Sequence, residues 1–455
     1  MPQWDVAVVG AGAAGLSLAH RLAGHATGLR TPSVVLIDAP PGPLRPPPRT
    51  WCHWAAGPGR FDAAVSAQWH RVRVRPHGGA TVSAADGDGV VRDISPLRYR
   101  MIRSDDFERL VLRDLARSPN VHRLRGTVDT VRDGPDGAQV CLRDTDGAAR
   151  VLDARWVFDS RPPTGLPAAR TLLLQHFHGW FVHTARPVFD PATVELMDFR
   201  TPQPAHGLSF GYVLPLTPHE ALVEYTEFSA RPLTPPAYEA AIRHYADDVL
   251  RLGERRVSAT ETGVIPMSDA PLPRRAGESV FRIGVAGGAT RPATGYTFAA
   301  IQRQARAVAR ALREGRRPVP PTAHSARSRA MDAVLLRALD SGRVDGPELF
   351  TRLFARVPGA RLLRFLDGDT RLHEDLAIGL RTPAGPMLRS ALDLPRLRRR
   401  PFAVPAAPHP PPHPAHPPRT PPRPATSPLP AEGPHPPPHP ADSPHTPPHP
   451  PTETA

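Results

Sequence analysis

Short apolar runs that end in glycine or acidic residues dominate the first half of the chain. Val6 to Val9 is a β-branched run that meets a glycine cluster, and Leu16 to Leu22 behind it reads as helix. A second run, Val34-Val-Leu-Ile37, ends in Asp38. Arg103-Ser-Asp-Asp-Phe-Glu predicts a helix from about Asp105, with Ser104 as its cap. Val128–Val131 and Gln139–Arg143 alternate like hairpin strands around a Gly134-Pro-Asp-Gly137 turn. Trp156-Val-Phe-Asp159 is an apolar strand with an acidic exit. From Leu172 to Ser229 the pattern is strand-like throughout and dense in aromatics, which predicts a second, largely antiparallel sheet. Arg282 to Phe298 reads as strand, glycine-rich loop and helix, the helix running on to about Arg313.

The fold class these elements predict is α/β. A dinucleotide-binding domain takes residues 1–170 and 255–320, a β-sheet substrate domain 171–254, and a helical region 321–400. Beyond residue 400 the pattern stops. Many of the chain's 61 prolines fall there, interleaved with histidines, and such a segment buries too little apolar surface to order itself, so 401–455 reads as a disordered tail. His409, His413 and His416 lie on this polyproline-like scaffold, which does not converge them on a metal, and no metal site is expected.

Composition narrows the chemistry. Two cysteines, Cys52 and Cys141, exclude a disulfide framework and a cysteine-rich metal centre, and point to a reducing, cytoplasmic setting. Every one of the 57 basic residues is arginine, which excludes a P-loop or Schiff-base lysine. No apolar run reaches the roughly 18 residues of a membrane span, and no signal-peptide pattern opens the chain. The net charge of +14 sits on the body and suits an anionic cofactor or lipid surface. Nucleic acid is not expected, because no recognition motif accompanies the charge.

Gly10, Gly12 and Gly15 have the spacing of a dinucleotide turn: tight turn, close approach to a pyrophosphate, and close helix packing. The helix N-terminus adds amides and a positive dipole end, and Asp38 stands where a ribose hydroxyl is accepted. The N-terminal position of the motif favours FAD, while spacing alone leaves NAD open. Asp159 ends a strand of the kind that closes such a sheet, or is simply a polar exit. Gly287 and Gly288 allow close approach to a flavin ring, or form an ordinary turn. In Glu220 to Ser229, Leu222, Glu224, Thr226 and Phe228 share one face, and Tyr225 and Glu227 the other. If the first face is internal, desolvation raises the pKa of Glu224 toward that of a general acid; on an edge strand it is only a solvated glutamate.

Several segments in order along Asp5 to about Arg400 resemble the bacterial lycopene β-cyclase family, within the glutathione-reductase-like flavoproteins. They are Arg49-Thr-Trp51, Tyr99-Arg100, Gln175-His-Phe-His-Gly-Trp180, Pro187-Val-Phe-Asp-Pro191, Leu196-Met-Asp-Phe-Arg200, Tyr212-Val-Leu-Pro-Leu216, Val223-Glu-Tyr-Thr226 and Pro292-Ala-Thr-Gly-Tyr296. The resemblance implies FAD used in its reduced form without net redox chemistry, NAD(P)H as reductant, and acid-catalysed closure of β-rings at the ends of lycopene. It maps the family's essential glutamate onto Glu224. The family's second acidic position falls on Tyr225, so one acid suffices or Glu227 or Asp198 assists. Trp180, Tyr212 and Tyr225 are candidate aromatic faces for the carbocation. Related flavin hydroxylases carry Gly-Asp where this chain has Ala286-Gly287-Gly288, which disfavours oxygen insertion. The competing expectation is an FAD-dependent reductase or hydroxylase acting on an isoprenoid. A substrate dissolved in the bilayer implies a peripheral membrane protein, with Arg396-Leu-Arg-Arg-Arg400, Leu392 and Leu394 as the lipid contact.

Overall fold

Strand β1 (Trp4–Val9) enters helix α1 (Ala13–Leu22) through the glycine turn and returns in β2 (Val34–Asp38). This is a computed structural model that describes residues 3–24, 31–79, 89–163 and 165–402. The proposed tail, with His409, His413 and His416, falls outside the described residues apart from its first two positions.

The first sheet is parallel at its centre. Strands β8 (Val121–Gly134), β10 (Ala149–Asp159) and β16 (Val280–Arg282) join β1 and β2 in the order β16-β10-β1-β2-β8. β9 (Gly137–Asp144) pairs antiparallel with the far half of β8 and with the start of β10. The hairpin turn closes at Gly134 and Gly137, as the sequence predicts. Val6, Val8, Leu16, Leu18 and Leu36 are fully buried against α1, α2 (Ser104–Leu115) and α4 (Phe298–Arg313). α2 starts one residue earlier than expected, and Ser104 is not its cap. Its hydroxyl instead accepts the amide of Arg49 at 2.9 Å, tying the helix start to the neighbouring chain.

The second sheet has seven strands: β5 (Arg71–Arg75), β6 (Val90–Asp93), β11 (Leu172–Thr184), β12 (Thr193–Asp198), β13 (Leu208–Pro215), β14 (Glu220–Ser229) and β15 (Arg255–Ser268). Their order is β15-β11-β14-β13-β12-β5-β6, antiparallel except for β12 beside β5. The boundaries drawn from sequence need correction here. β5, β6 and β15 lie outside 171–254, yet they complete this sheet. β15 covers the edge β11 would otherwise expose and β5 covers that of β12, and an unpaired edge leaves backbone donors and acceptors open. A three-stranded sheet of β3 (Thr50–Ala55), β7 (Arg98–Arg103) and β4 (Val65–Trp69), ordered β3-β7-β4, lies between the two larger ones.

Each face of the seven-stranded sheet has its own core. Leu208, Phe210, Leu214, Leu222 and Phe228 pack with Trp54, Tyr99 and Met101 of the small sheet and with helices α5 (Ala326–Asp340), α6 (Gly346–Arg356) and α7 (Gly359–Asp367). Trp180, Val213, Val223 and Tyr225 face α3 (Pro235–His244) and the wider turn after it. Helices α8 (Leu372–Gly379) and α9 (Ala384–Asp393) follow. Among the described residues no helix is long and apolar enough to cross a membrane.

Candidate functional site

Two sets of residues converge from distant parts of the chain. The first lies at the carboxyl ends of the parallel strands, where ligands bind in sheets of this kind. Gly10 has φ +92°, and a Cβ there would stand 2.5 Å from Ser160 Oγ. A Cβ on Gly15 would come 1.8 Å from the carbonyl oxygen of Gly10, so α1 seats on the turn only with glycine there. Gly12 differs: nothing lies within 4 Å of its missing side chain, and no side chain caps the first turn of α1. Open space before uncapped amides at a helix N-terminus fits a pyrophosphate.

The other residues expected at this end are there, but mostly engaged. Asp38 is buried; Arg123 donates to it at 2.7 Å and Arg45 stands 3.8 Å away. Asp159 is held by the guanidinium of Arg161 at 3.0 and 2.8 Å. Carboxylates so held keep lone pairs for a ribose hydroxyl. The turn after β16 lies alongside, with the amide of Ile283 bonded to the Asp159 carbonyl and Gly284 against Ala14. Gly287 faces the Arg282 carbonyl, where a Cβ would stand 2.4 Å away, so its glycine is required by the turn itself. Gly288 has φ +74°.

The second set is a row across four strands. Tyr212 on β13 pairs with Glu224 on β14, Glu224 with Gly179 on β11, and Gly179 with Glu261 on β15. Residues in register point to the same face, so this row looks toward the small sheet. Glu224 is buried, and its side chain leans across Gly179: a Cβ there would stand 2.7 Å from Glu224 Cγ and 3.4 Å from Oε1. Among the described residues no hydrogen bond or ion pair reaches the Glu224 carboxyl. Burial first, and the neighbouring Glu261 second, hold it well above the usual carboxylate range. Glu261 is also buried, but it accepts the Thr50 hydroxyl at 2.8 Å. Burial raises it to about 7, against the pull of Thr50, Arg103 and Arg49.

Aromatic hydroxyls complete this face. Tyr99 Oη lies 2.8 Å from Tyr212 Oη and 2.9 Å from Tyr296 Oη, and Tyr212 donates to Cys52 Sγ at 3.2 Å. Burial pushes all three phenols up and the Cys52 thiol to about 12, so all stay protonated. Trp54 stands edge-on to Tyr296 at 4.5 Å and stacks over Tyr99 at 6.1 Å. Tyr296 belongs to the loop between β16 and α4, so this chain of hydroxyls runs from that loop to Tyr212, the neighbour in register with Glu224.

Tyr212 faces the row as expected; the other aromatic candidates do not. Trp180 and Tyr225 lie on the opposite face, Trp180 beneath the guanidinium groups of Arg255 and Arg243 at 5.4 and 5.9 Å. Glu227 is there too, accepting the Tyr225 hydroxyl at 2.9 Å. Asp198 is fully buried but gripped by Arg200 at 2.9 and 2.6 Å and by the Tyr245 hydroxyl at 3.0 Å. Neither Asp198 nor Glu227 stands beside Glu224. The sequence reading passed over Glu261 and Trp54, and quoted Thr50, Tyr99 and Tyr296 without giving them roles. A glutamate on a mostly polar strand carries no local sign of burial; the available signal was the apolar Val264-Ile-Pro-Met267 run that follows it.

The architecture is a mixed α/β fold like that of flavoprotein oxidoreductases and halogenases. A flavoprotein/dehydrogenase from Cytophaga hutchinsonii superposes with a TM-score of 0.55 at 13% identity, covering 86% of this chain and 98% of that one. A geranylgeranyl bacteriochlorophyll reductase-like protein from Thermoplasma acidophilum gives 0.54 at 12%, covering 86% and 99%. A triple mutant of a flavin-dependent brominase gives 0.53 at 15% identity, covering 82% and 97%. Identities this low establish the fold alone. The family comparison goes further: residues 5–392 match the family described as lycopene cyclase protein, and the chain belongs to it. No curated protein matches it.

Proposed function

We propose that the protein is a lycopene β-cyclase: it binds FAD at the glycine turn and closes β-rings at the ends of lycopene, without net redox change, by proton transfer from Glu224. The observation that carries this reading is a buried carboxyl, Glu224, that no hydrogen bond or ion pair reaches among the described residues, on an apolar, aromatic face. A hydrocarbon substrate offers nothing to hydrogen-bond, so its recognition needs apolar walls and its activation needs a proton donor in a dry place. Glu224 supplies the proton to a terminal double bond. Tyr212, Tyr99, Tyr296 and Trp54 exclude water from the resulting cation and turn electron-rich faces and oxygens toward it.

Gly10, Gly12, Gly15 and Asp38 would hold the FAD, with Asp159, Gly287 and Gly288 beside it. Reduced with NAD(P)H, the cofactor supplies an electron-rich ring that stabilises nearby positive charge. Gly12→Val places a side chain in open space, so the protein should fold normally and lose its yellow colour; stoichiometric flavin in that variant would exclude this site.

The substrate's solubility implies a membrane partner. Leu372, Leu376 and Leu380 repeat every four residues along α8 and its end, and Leu388 and Leu392 do so on α9; all five are exposed. Arg389, Arg396 and Arg398 are exposed nearby, matching an anionic lipid surface. Arg399 and Arg400 are exposed as well, Arg399 donating to the Asp269 carbonyl at 3.0 Å and Arg400 pairing with Ala169 through its backbone. Anionic vesicles should float the protein, and neutral ones should not.

The deciding experiment is incubation of the purified protein with FAD, NAD(P)H and lycopene in vesicles, followed by pigment chromatography and mass spectrometry. A cyclase yields β-ringed products of unchanged mass. A mass gain of two hydrogens or of oxygen would identify a reductase or hydroxylase instead.

A further inference from the structure

Protonation alone does not complete a ring closure, because a proton must also leave. We propose that Glu261 is the second catalytic carboxyl: placed across Gly179 from Glu224, with the Thr50 hydroxyl on it, it takes the proton lost by the cyclised cation. This assignment rests on the cyclase reading and extends it to a residue on another strand.

Geometry supports it first. Glu224 and Glu261 are both in register with Gly179, so they flank one position on the same face, their Cα atoms roughly 10 Å apart at the usual strand spacing. Gly179 puts no side chain between them, and Glu224 already leans over it. Both carboxyls are buried, and two buried like charges so close are strongly disfavoured, so the pair carries one proton. Their partners decide where it sits. Among the described residues no donor reaches Glu224. Glu261 has the Thr50 hydroxyl, and Arg103 and Arg49 favour its charged form. When environments push two carboxyls apart in this way, one is the acid and the other the base.

The electrons balance. The terminal double bond takes the Glu224 proton, its π pair forming the new C–H bond. The next double bond attacks the cation and its pair forms the ring C–C bond. The Glu261 carboxylate removes a proton from the ring, and that C–H pair forms the ring double bond. The pair still holds one proton, now on Glu261, and transfer across Gly179 restores the starting state.

The charged and titratable groups that face Glu261 are Arg49 before β3, Cys52 on β3, Arg103 on β7 and Glu224 on β14. Burial keeps the Cys52 thiol protonated, so the pair itself sets the profile. Wild-type activity should fall as pH drops below about 7, as Glu261 becomes protonated. Glu261→Gln should lower the cyclisation rate by about 10²-fold or more and abolish that acid-side fall. Glu261→Asp should keep both measurable activity and the fall. Thr50→Val removes the hydroxyl donor but neither carboxyl, so the acid-side fall should move to higher pH; this variant keeps the test open if Glu261→Gln does not fold. Glu261→Gln within a few fold of wild type, or an acid limb unchanged in Glu261→Gln and in Thr50→Val, would overturn the assignment. If the wild-type protein leaves lycopene unaltered, the cyclase reading itself fails and this proposal with it.

Discussion

The two faces of the seven-stranded sheet each bury acidic residues, and Glu224 on one is held in the opposite way from Asp198 and Glu227 on the other. On the α3 side, Asp198 is fully buried yet carries Arg200 and the Tyr245 hydroxyl, and Glu227 carries the Tyr225 hydroxyl with His176 Nε2 at 3.8 Å. Burial pushes His176 down to about 4, so that contact is not an ion pair at neutral pH. On the other side, Glu224 has apolar and aromatic neighbours and Glu261, and among the described residues no hydrogen-bond donor reaches it. Burial alone does not make a general acid, because a buried carboxyl with a cation is an ion pair. Burial without a partner stores a proton. Glu224 and Glu227 are three residues apart on one strand, and only the face each takes separates their environments.

Exchanging the residues on the two faces tests this contrast. The largest effect is expected from Glu224→Gln, which keeps the shape and removes the transferable proton. Cyclisation in a lycopene-accumulating host should fall by about 10²–10⁴-fold, with the flavin still bound. Near wild-type pigment conversion by that variant would move the proton source elsewhere. Next comes Asp198→Asn, whose effect should be on stability instead. Asp198 is buried but the Arg200 side chain is 32% exposed, so removing the charge should cost about 1–3 kcal/mol, visible in chemical denaturation, while the folded fraction should still cyclise.

Gly179→Ala follows. The added methyl meets Glu224 Cγ, so turnover should drop by about tenfold through displaced geometry, with the substrate concentration for half-maximal rate little changed. Glu227→Gln should have the smallest effect, within a few fold on activity.

The same contrast gives a dependence of stability on pH. Glu224 and Glu261 have folded pKa values above their unfolded ones, so the native state binds more protons than the unfolded state. Stability from this pair is present below about pH 4.5 and declines as pH rises toward about 7 and beyond. Thermal unfolding across that window should show the decline in wild type and less of it in Glu224→Gln. An equal slope in both would mean that Glu224 is ionised in the folded protein.

The glycine turn and the helix behind it were legible in the sequence because they are local. Gly10, Gly12 and Gly15 meet their structural demands within six residues, and the bounds of α4 can be read from Phe298 and Arg313. Alternation along Glu220–Ser229 likewise assigned Glu224 and Glu227 to opposite faces without any coordinates. What alternation does not reveal is what stands opposite a residue.

Pairing across β13, β14, β11 and β15 joins Tyr212, Glu224, Gly179 and Glu261, which span about eighty residues, and the small sheet adds Thr50, Cys52, Trp54 and Tyr99 from the first hundred. By itself the sequence determined the glycine turn, the strand periodicity and the face that Glu224 takes, because backbone sterics and the two-residue repeat act between near neighbours. The second carboxyl, the partners of Asp198 and Glu227, and the aromatic wall were decided only by tertiary structure. Desolvation and charge coupling depend on distance in space, and strand register sets that distance between residues far apart in the chain.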